Sequence, residues 1–332
     1  MEKDRLSFSQ RSDWTVEEIR TIYHAPLLEL VHRGGSALRE QQSHSARHLQ
    51  MCHLISLKTG GCSEDCKYCS QSSHYPSGVE PRPFACQEEV LSKAREAIAQ
   101  GATRICLGAA WSKVRDNDQF ERVLSIVEQI RGMGAEVCCT LGKVTEEQAD
   151  RLVKAGLWAY NHNLDSSRSF YPSIITTRSY EERLSTLDTL DKVGVRVCSG
   201  AILGMGETHE DRIQLLHTLA TRTPHPESVP INLLIPMPGT PLADLPPLPI
   251  WEALRMIASA RILMPKSRVR LSAGRHRLSL EEQALCFLAG ANSIFIGDKL
   301  LTADNNSLEA DRAMCALFGL EPMGEASMGA SI

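Results

Sequence analysis

Residues 87–110, QEEVLSKAREAIAQ followed by GATRICLGAA, hold the unit from which the fold is read. Residues 87–100 read as an amphipathic helix. Gly101 follows at the position where a left-handed C-cap favours glycine. Residues 102–110 are a short apolar run that reads as a strand. The same unit recurs in both directions. Strands are expected at residues 55–61, 102–110, 135–142, 157–165, 195–204, 228–236, 268–274 and 291–297. Helices are expected at 87–100, 120–131, 145–155, 180–193, 211–222, 249–262, 280–288 and 307–317.

Local signals support these bounds. Thr145 is an N-cap candidate, with Glu146 and Glu147 in the first helical turn. Ser279-Leu280-Glu281-Glu282 is a capping-box pattern. Gly156, Gly194 and Gly290 follow helices as Gly101 does. Strand–helix alternation repeated about eight times points to an α/β chain folded as a (β/α)8 TIM-type barrel. A doubly wound sheet is the competing reading. It lacks its fingerprint, because Gly204-Met205-Gly206 is followed by His209 where a third glycine belongs. Residues 1–50 read as a polar N-terminal helical extension, with a helix start at Trp14-Thr15-Val16, expected to cap the barrel's N-terminal end. Residues 51–320 form the barrel, residues 244–249 a proline-rich loop, and residues 321–332 a loose C-terminal tail. No internal linker divides the chain.

Composition narrows the function classes. Hydrophobic residues are 42% and charged residues 23% of 332 residues, the balance of a soluble globular protein. No run reaches the ~18 apolar residues of a membrane helix. Met1–Arg5 lack the apolar core of a signal peptide. The net charge of −4 favours neither nucleic acid nor an anionic membrane as partner. Eleven cysteines, an odd number without a secretion signal, fit a reducing cytoplasm better than a disulfide scaffold.

Gly61-Cys62-Ser63-Glu64-Asp65-Cys66-Lys67-Tyr68-Cys69 places a CxxxCxxC triplet directly after the first expected strand. In a barrel that loop lies on the C-terminal face, where active sites are built. Three thiolates can hold three irons of a [4Fe–4S] cluster and leave the fourth open. The bland alternative is a structural zinc site completed by His74 or Cys52. The strands also carry unusual polar residues: Cys106, Cys138, Cys139, Asn161, Asn163, Asp165, Cys198, Asn232, Arg268 and Arg270. Each cysteine alone reads as a small buried hydrophobe. Polar groups on so many strands require something polar among them. Cys138 and Cys139 point to opposite faces, and alternation alone does not say which faces inward.

From about residue 15 to 320 the chain resembles the biotin synthase family of radical S-adenosylmethionine (SAM) enzymes. The resemblance rests on KTGGCSEDCKYCSQ (58–71), CLGAAW (106–111), YNHNLD (160–165), IITTR (174–178), VCSG (197–200), ESVPIN (227–232) and VRLSAGR (269–275). It implies that Cys62, Cys66 and Cys69 bind a [4Fe–4S] cluster. It implies that Cys106, Cys138, Cys198 and Arg270 bind a [2Fe–2S] cluster, Cys138 being preferred to Cys139 by its place ahead of Leu141-Gly142. Tyr68, Asn163, Asp165, Arg183, Gly204 and Glu207 would border S-adenosylmethionine, and Asn163 and Asn232 the substrate, dethiobiotin. Ser63 and Ser70 stand where the family often has proline, and neither supplies a ligand. The implied reaction is sulfur insertion between C6 and C9 of dethiobiotin, begun by a 5′-deoxyadenosyl radical, since such C–H bonds are beyond ordinary acid–base chemistry. The implied partners are a flavodoxin- or ferredoxin-type electron donor, cluster-assembly proteins and a second copy of the chain in a homodimer. Two other readings stay open: a radical SAM enzyme of different substrate, and a zinc-bound barrel scaffold.

Overall fold

The computed structural model describes residues 10–41 and 47–323. Two helices, α1 (Val16–Tyr23) and α2 (Leu27–Gln41), precede β1 (His48–Lys58). Then follow α3 (Gln87–Ala99), β2 (Arg104–Ala109), α4 (Asp118–Gly132), β3 (Glu136–Thr140), α5 (Glu146–Lys154), β4 (Ala159–Asn161), α6 (Tyr180–Lys192), β5 (Arg196–Cys198) and β6 (Ala201–Leu203). The chain continues through α7 (His209–Ala220), β7 (Ser228–Leu233), α8 (Ile250–Leu263), β8 (Arg268–Leu271), α9 (Leu280–Leu288), β9 (Ser293–Ile296), α10 (Leu308–Phe318) and β10 (Glu321–Pro322). The strands run parallel in chain order, and β9 returns to pair with β1, Gln50 opposite Ser293. The sheet is closed, and the chain is a (β/α)8 barrel.

The helix starts are set by side chains. Thr15, Thr145, Ser179, Thr208 and Ser279 each form a reciprocal capping box with the acid or amide three residues on. These boxes satisfy backbone N–H groups that a first turn otherwise leaves orphaned. Gly101, Gly156, Gly194 and Gly290 close helices with positive φ, as their sequence positions predict.

Four expectations change. The first strand begins at His48, seven residues before the apolar run, because Gln50, Cys52 and Leu54 alternate toward the barrel interior and hide the strand from a hydrophobicity reading. The fifth expected strand is split into β5 and β6 around Ser199-Gly200. Pro230 on β7 has no N–H to donate there, and a Cβ on Gly200 would lie 2.0 Å from the Pro230 carbonyl oxygen. The N-terminal helices do not close the barrel's end. They pack outside it, α1 on α7 and α8, and α2 on α8 and α9. Residues 321–323 are not loose: β10 pairs with His48 and Leu49, and Met323 is buried. Residues 324–332 lie outside the described residues.

Alternation divides the barrel into two packed regions. Ile105, Leu107, Val137 and Cys139 face outward into the core shared with the helices, including Val123, Ile126 and Ile130 of α4. Inside, Cys52, Cys106, Cys138, Cys198 and Ala159 form a separate group bordered by Leu54, Trp158 and Phe295. Burial of the outer apolar faces, at roughly 25 cal/mol per Å², stabilises the fold. The interior is left free for polar chemistry.

Candidate active site

The loop after β1 carries the cysteine triplet, and short bonds fix its shape. Cys62 N–H donates to the Gln71 carbonyl at 2.9 Å, and Ser73 N–H donates to the Cys62 carbonyl at 2.8 Å. Gly60 and Gly61 both take positive φ (71° and 65°), which turns the chain from strand into loop. A second segment, residues 174–178, clamps the loop from outside. The Asp65 carboxylate accepts from the backbone N–H of Thr176 (2.9 Å) and Thr177 (3.1 Å). Arg178 pairs with Glu64 at 2.8 Å. The triplet is thus held by polar bonds whose donors come from the loop after β4.

Cys62, Cys66 and Cys69 face a cavity of about 390 Å³ within the C-terminal half of the barrel. Burial pushes the Cys66 thiol up to about 12, against the opposing pull of Arg183, and the Cys69 thiol up to about 11. Thiols so placed stay protonated until a metal displaces the proton. Among the described residues no three His, Cys, Asp or Glu side chains converge on a point that could hold a single ion. All three thiols line the cavity. Cys52, one candidate fourth ligand of the zinc reading, is not beside the triplet. Cys52 lies in the inner group with Cys106, and the exposed His74 ring sits 3.1 Å from the Ser63 carbonyl.

Beside the triplet stands Asp165. Its Oδ2 accepts from the Tyr68 hydroxyl at 2.8 Å and from Arg183 Nη2 at 3.0 Å. Arg183 Nε in turn donates to the Tyr171 hydroxyl at 2.9 Å. Burial raises the Asp165 carboxyl, and the Arg183 charge opposes that rise. Asp165 is the one non-glycine residue with positive φ (67°) among those described. Such a conformation persists where surrounding bonds over-determine it. Here Asp165 N–H donates to the Gly200 carbonyl at 3.0 Å, and Ile202 N–H donates to the Asp165 carbonyl at 2.9 Å. The break between β5 and β6 therefore receives the loop after β4. Gly200 N–H also donates to Asn163 Oδ1 at 3.2 Å.

Asn163, Asp165, Arg183 and Asn232 all line the cavity, as does Tyr68. Asn232 Nδ2 donates to the Ala201 carbonyl at 2.9 Å, and its Oδ1 accepts from Ala273 N–H at 3.3 Å. Gly204 and Glu207 are not brought to the cavity wall. The Glu207 carboxylate closes its own turn, accepting from Gly204 N–H (2.9 Å) and Met205 N–H (2.8 Å) and pairing with Arg212 at 2.7 Å. Its acceptors are spent on structure.

The floor of the cavity is the second constellation. Cys106 and Cys138 are opposite each other on β2 and β3, and Cys138 Sγ lies 4.0 Å from Cys198 Sγ. Cys138 faces inward and Cys139 outward. Arg270 is buried, with Nε donating to Ser293 Oγ at 3.0 Å. The sequence reading missed the layer below. Arg104 is fully buried, donating through Nε to Glu136 (2.8 Å) and through Nη1 and Nη2 to Glu227 (2.9 and 2.6 Å). Its Nη1 also lies 3.7 Å from Cys198 Sγ. A signal was available: Gln50, Arg104, Glu136 and Arg268 each stand two residues before an inward Cys or Arg, on the same strand face.

The donor sets fit two iron–sulfur clusters: three soft thiols on one loop at the cavity, and three thiols with an arginine on the floor. The radical SAM superfamily model matches residues 56–219, and the Biotin and Thiamin Synthesis associated domain matches residues 230–321. The chain is 57% identical over 315 residues to a biotin synthase of Chlamydia abortus, covering 95% of each. It is 55% identical to the mitochondrial biotin synthase of Arabidopsis thaliana, covering 94% of this chain and 82% of that one. Among solved structures it is similar to a methylornithine synthase, with TM-score 0.78, 17% identity and 96% of each chain covered. It is also similar to the [FeFe]-hydrogenase maturase of Carboxydothermus hydrogenoformans, with TM-score 0.72, 15% identity, and 92% of this chain and 78% of that one covered. Those two likenesses concern the fold. At more than half identity over nearly its whole length, the chain belongs to the biotin synthase family of the radical SAM superfamily.

Proposed function

We propose that this chain converts dethiobiotin to biotin, with Cys62, Cys66 and Cys69 holding a [4Fe–4S] cluster and Cys106, Cys138, Cys198 and Arg270 holding a [2Fe–2S] cluster. The observation that carries this reading is that the two thiol sets meet at one cavity, lined by the triplet and by Cys106, Cys138 and Arg270, with Cys198 packed against Cys138. When bound, the clusters supply an electron for reductive cleavage of S-adenosylmethionine and a sulfur atom for the product. The protein's own task is to hold both reactants between them.

Three groups do this. Tyr68, Asp165 and Arg183 form a fixed polar wall next to the triplet, suited to the hydroxyl and charged groups of S-adenosylmethionine. Asn163 and Asn232 present amides to the cavity, suited to the ureido ring of dethiobiotin. Trp111, Leu234, Leu300 and Leu301 line the cavity with apolar surface, which lowers the access of water to a reactive carbon centre. The Gly204–Glu207 turn, held by the Glu207–Arg212 pair, is not among the residues that line the cavity. A one-electron donor is required from outside the chain. No helix among the described residues is long and apolar enough to cross a membrane.

The test is anaerobic purification and reconstitution, then iron, sulfide and zinc per chain, followed by biotin formation from dethiobiotin with S-adenosylmethionine and a reductant. About six irons and six sulfides, with biotin produced, are expected. About four of each would remove the floor cluster, and zinc alone would remove the radical chemistry.

A further inference from the structure

A short hairpin after β9 reaches over the cavity. Lys299 and Asp304 form an antiparallel bridge, and Leu300 N–H donates to the Ala303 carbonyl at 2.9 Å, so the tip is a tight turn. The base is pinned by Asn305, whose Nδ2 donates to the carbonyls of Phe295 (3.0 Å) and Gly297 (2.9 Å). The tip residues Leu300, Leu301, Thr302 and Ala303 all line the cavity. Leu301 lies over Gly108, where an added Cβ would come to 3.1 Å from Leu301 Cδ2. Gly108 stands two residues after Cys106 and shares its inward face. Leu301 therefore fills the space that a side chain on β2 would otherwise take.

At the same tip, Thr302 Oγ1 lies 2.9 Å from Ser70 Oγ. Ser70 follows Cys69 directly, is buried, and lines the cavity itself. Its surroundings are fixed: its carbonyl accepts from the Ser77 hydroxyl, and the neighbouring Gln71 Oε1 accepts from Gly60 N–H at 3.1 Å. The hydroxyl pair thus ties the hairpin tip to the cysteine loop. We propose that Ser70 is a positioning residue for the substrate: through Thr302 it holds the 299–304 hairpin in place, so that Leu301 forms a wall of the dethiobiotin pocket. This rests on the reading that the cavity takes dethiobiotin. Ser70 acts on the wall and not on the reacting atoms. A chain whose wall is in place for only a fraction of the time binds its ligand more weakly by that fraction, while molecules already bound react as before.

The experiment uses the full chain, reconstituted anaerobically, as wild type, Ser70→Ala, Thr302→Val, the double variant and the conservative Thr302→Ser. Iron per chain, amide exchange over residues 299–304 without substrate, the Kd of dethiobiotin with S-adenosylmethionine present, and KM and kcat are measured. Iron is expected to match wild type throughout. Ser70→Ala and Thr302→Val should each speed exchange in the hairpin about fivefold, the worth of one neutral hydrogen bond. Each should raise Kd and KM for dethiobiotin by up to about fivefold, with kcat within about twofold of wild type. The double variant should be no worse than either single one, because both remove the same bond. Thr302→Ser keeps a hydroxyl and should behave as wild type. Unchanged exchange in both single variants, additive losses in the double variant, or a fall in kcat at constant KM overturns the proposal. Thr302→Val acts from the hairpin side, so the test stands even where a change beside Cys69 disturbs the cysteine loop. A wild type that binds no dethiobiotin overturns the functional reading and the proposal with it, and the exchange data tell that outcome from failure of the hydroxyl pair alone.

Discussion

Replacing Arg104 by methionine removes the cation from beneath the floor thiols while filling much of its volume. Arg104 is fully buried and joins Glu136 and Glu227, whose side chains are 7% and 20% exposed. Without it, two carboxylates face each other out of water. Breaking a buried pair in this way costs about 3–5 kcal/mol. With an unfolding entropy of roughly 2.1 cal/mol/K per residue, a chain of this length loses about 4–7 °C in melting temperature. The Glu227 contribution to the pH response should also change sign, while Glu136, which burial already raises in the wild type, should rise further. In the wild type, Glu227 is held at about 2: burial raises it, and the Arg104 charge overcomes that rise. Its folded value lies below the unfolded one, so its contribution is present above the ordinary carboxylate range and is lost as pH falls toward about 2. In the variant, burial acts unopposed by Arg104 and the folded value rises. Stability should then increase on mild acidification from pH 7 to 5, as the stranded carboxylates take protons. Calorimetry or dichroism melts at the two pH values test this, alongside a variant that also carries Glu136→Gln and Glu227→Gln. That neutralised variant should recover more than half of the loss. An Arg104→Met melt within 1 °C of wild type, by the same entropy scale a cost under about 1 kcal/mol, would refute the reasoning.

Other consequences are simpler to check. Cys138→Ala should abolish the floor cluster's absorption, whereas Cys139→Ala, on the outward face of the same strand, should leave it and cost about 1 kcal/mol in a denaturant titration; equal spectra from the two variants would contradict the facing assigned to β3. Gly200→Ala forces a Cβ to 2.0 Å from the Pro230 carbonyl oxygen, so the denaturation midpoint should drop by the equivalent of about 2–3 kcal/mol. An unchanged midpoint would mean that the β5–β6 break has room to spare. The Asp65 carboxyl is held at about 2, against burial, by the Thr176 and Thr177 donors. The clamp on the cysteine loop is therefore fully formed above the ordinary value of 3.8 and lost as pH falls through about 2. Asp65→Asn should speed amide exchange over residues 174–178 about tenfold at pH 7, the kinetic equivalent of ~1.4 kcal/mol, and unchanged protection would sink the clamp.

Much of the architecture was legible in the chain because its signals are local. Capping residues such as Thr145 and Ser279, and the helix-ending glycines 101, 156, 194 and 290, act on neighbours a few residues away. Their alternation with apolar runs specifies a (β/α)8 barrel. The CxxxCxxC spacing likewise fixes three thiols on one loop, whatever the rest of the chain does. The start of β1 was missed because inward Gln50 and Cys52 break the hydrophobic pattern, and polar lining is what a reactive barrel interior requires.

Other features arise only when distant strands meet. Cys138 and Cys139 are equivalent on paper, and closure of the barrel turns one toward Cys198 and the other into the helical core. Arg104, Glu136 and Glu227 are ordinary surface residue types until three strand ends place them in one buried network. Cys52 joins the floor thiols only through the β1–β9 and β1–β2 registers. Glu207, a cavity residue by motif, is drawn away by Arg212 and by its own turn. Local backbone preference and spacing are properties of the chain. Facing, pairing and charge environment are set by register between strands far apart in sequence, and the tertiary structure alone supplies that register.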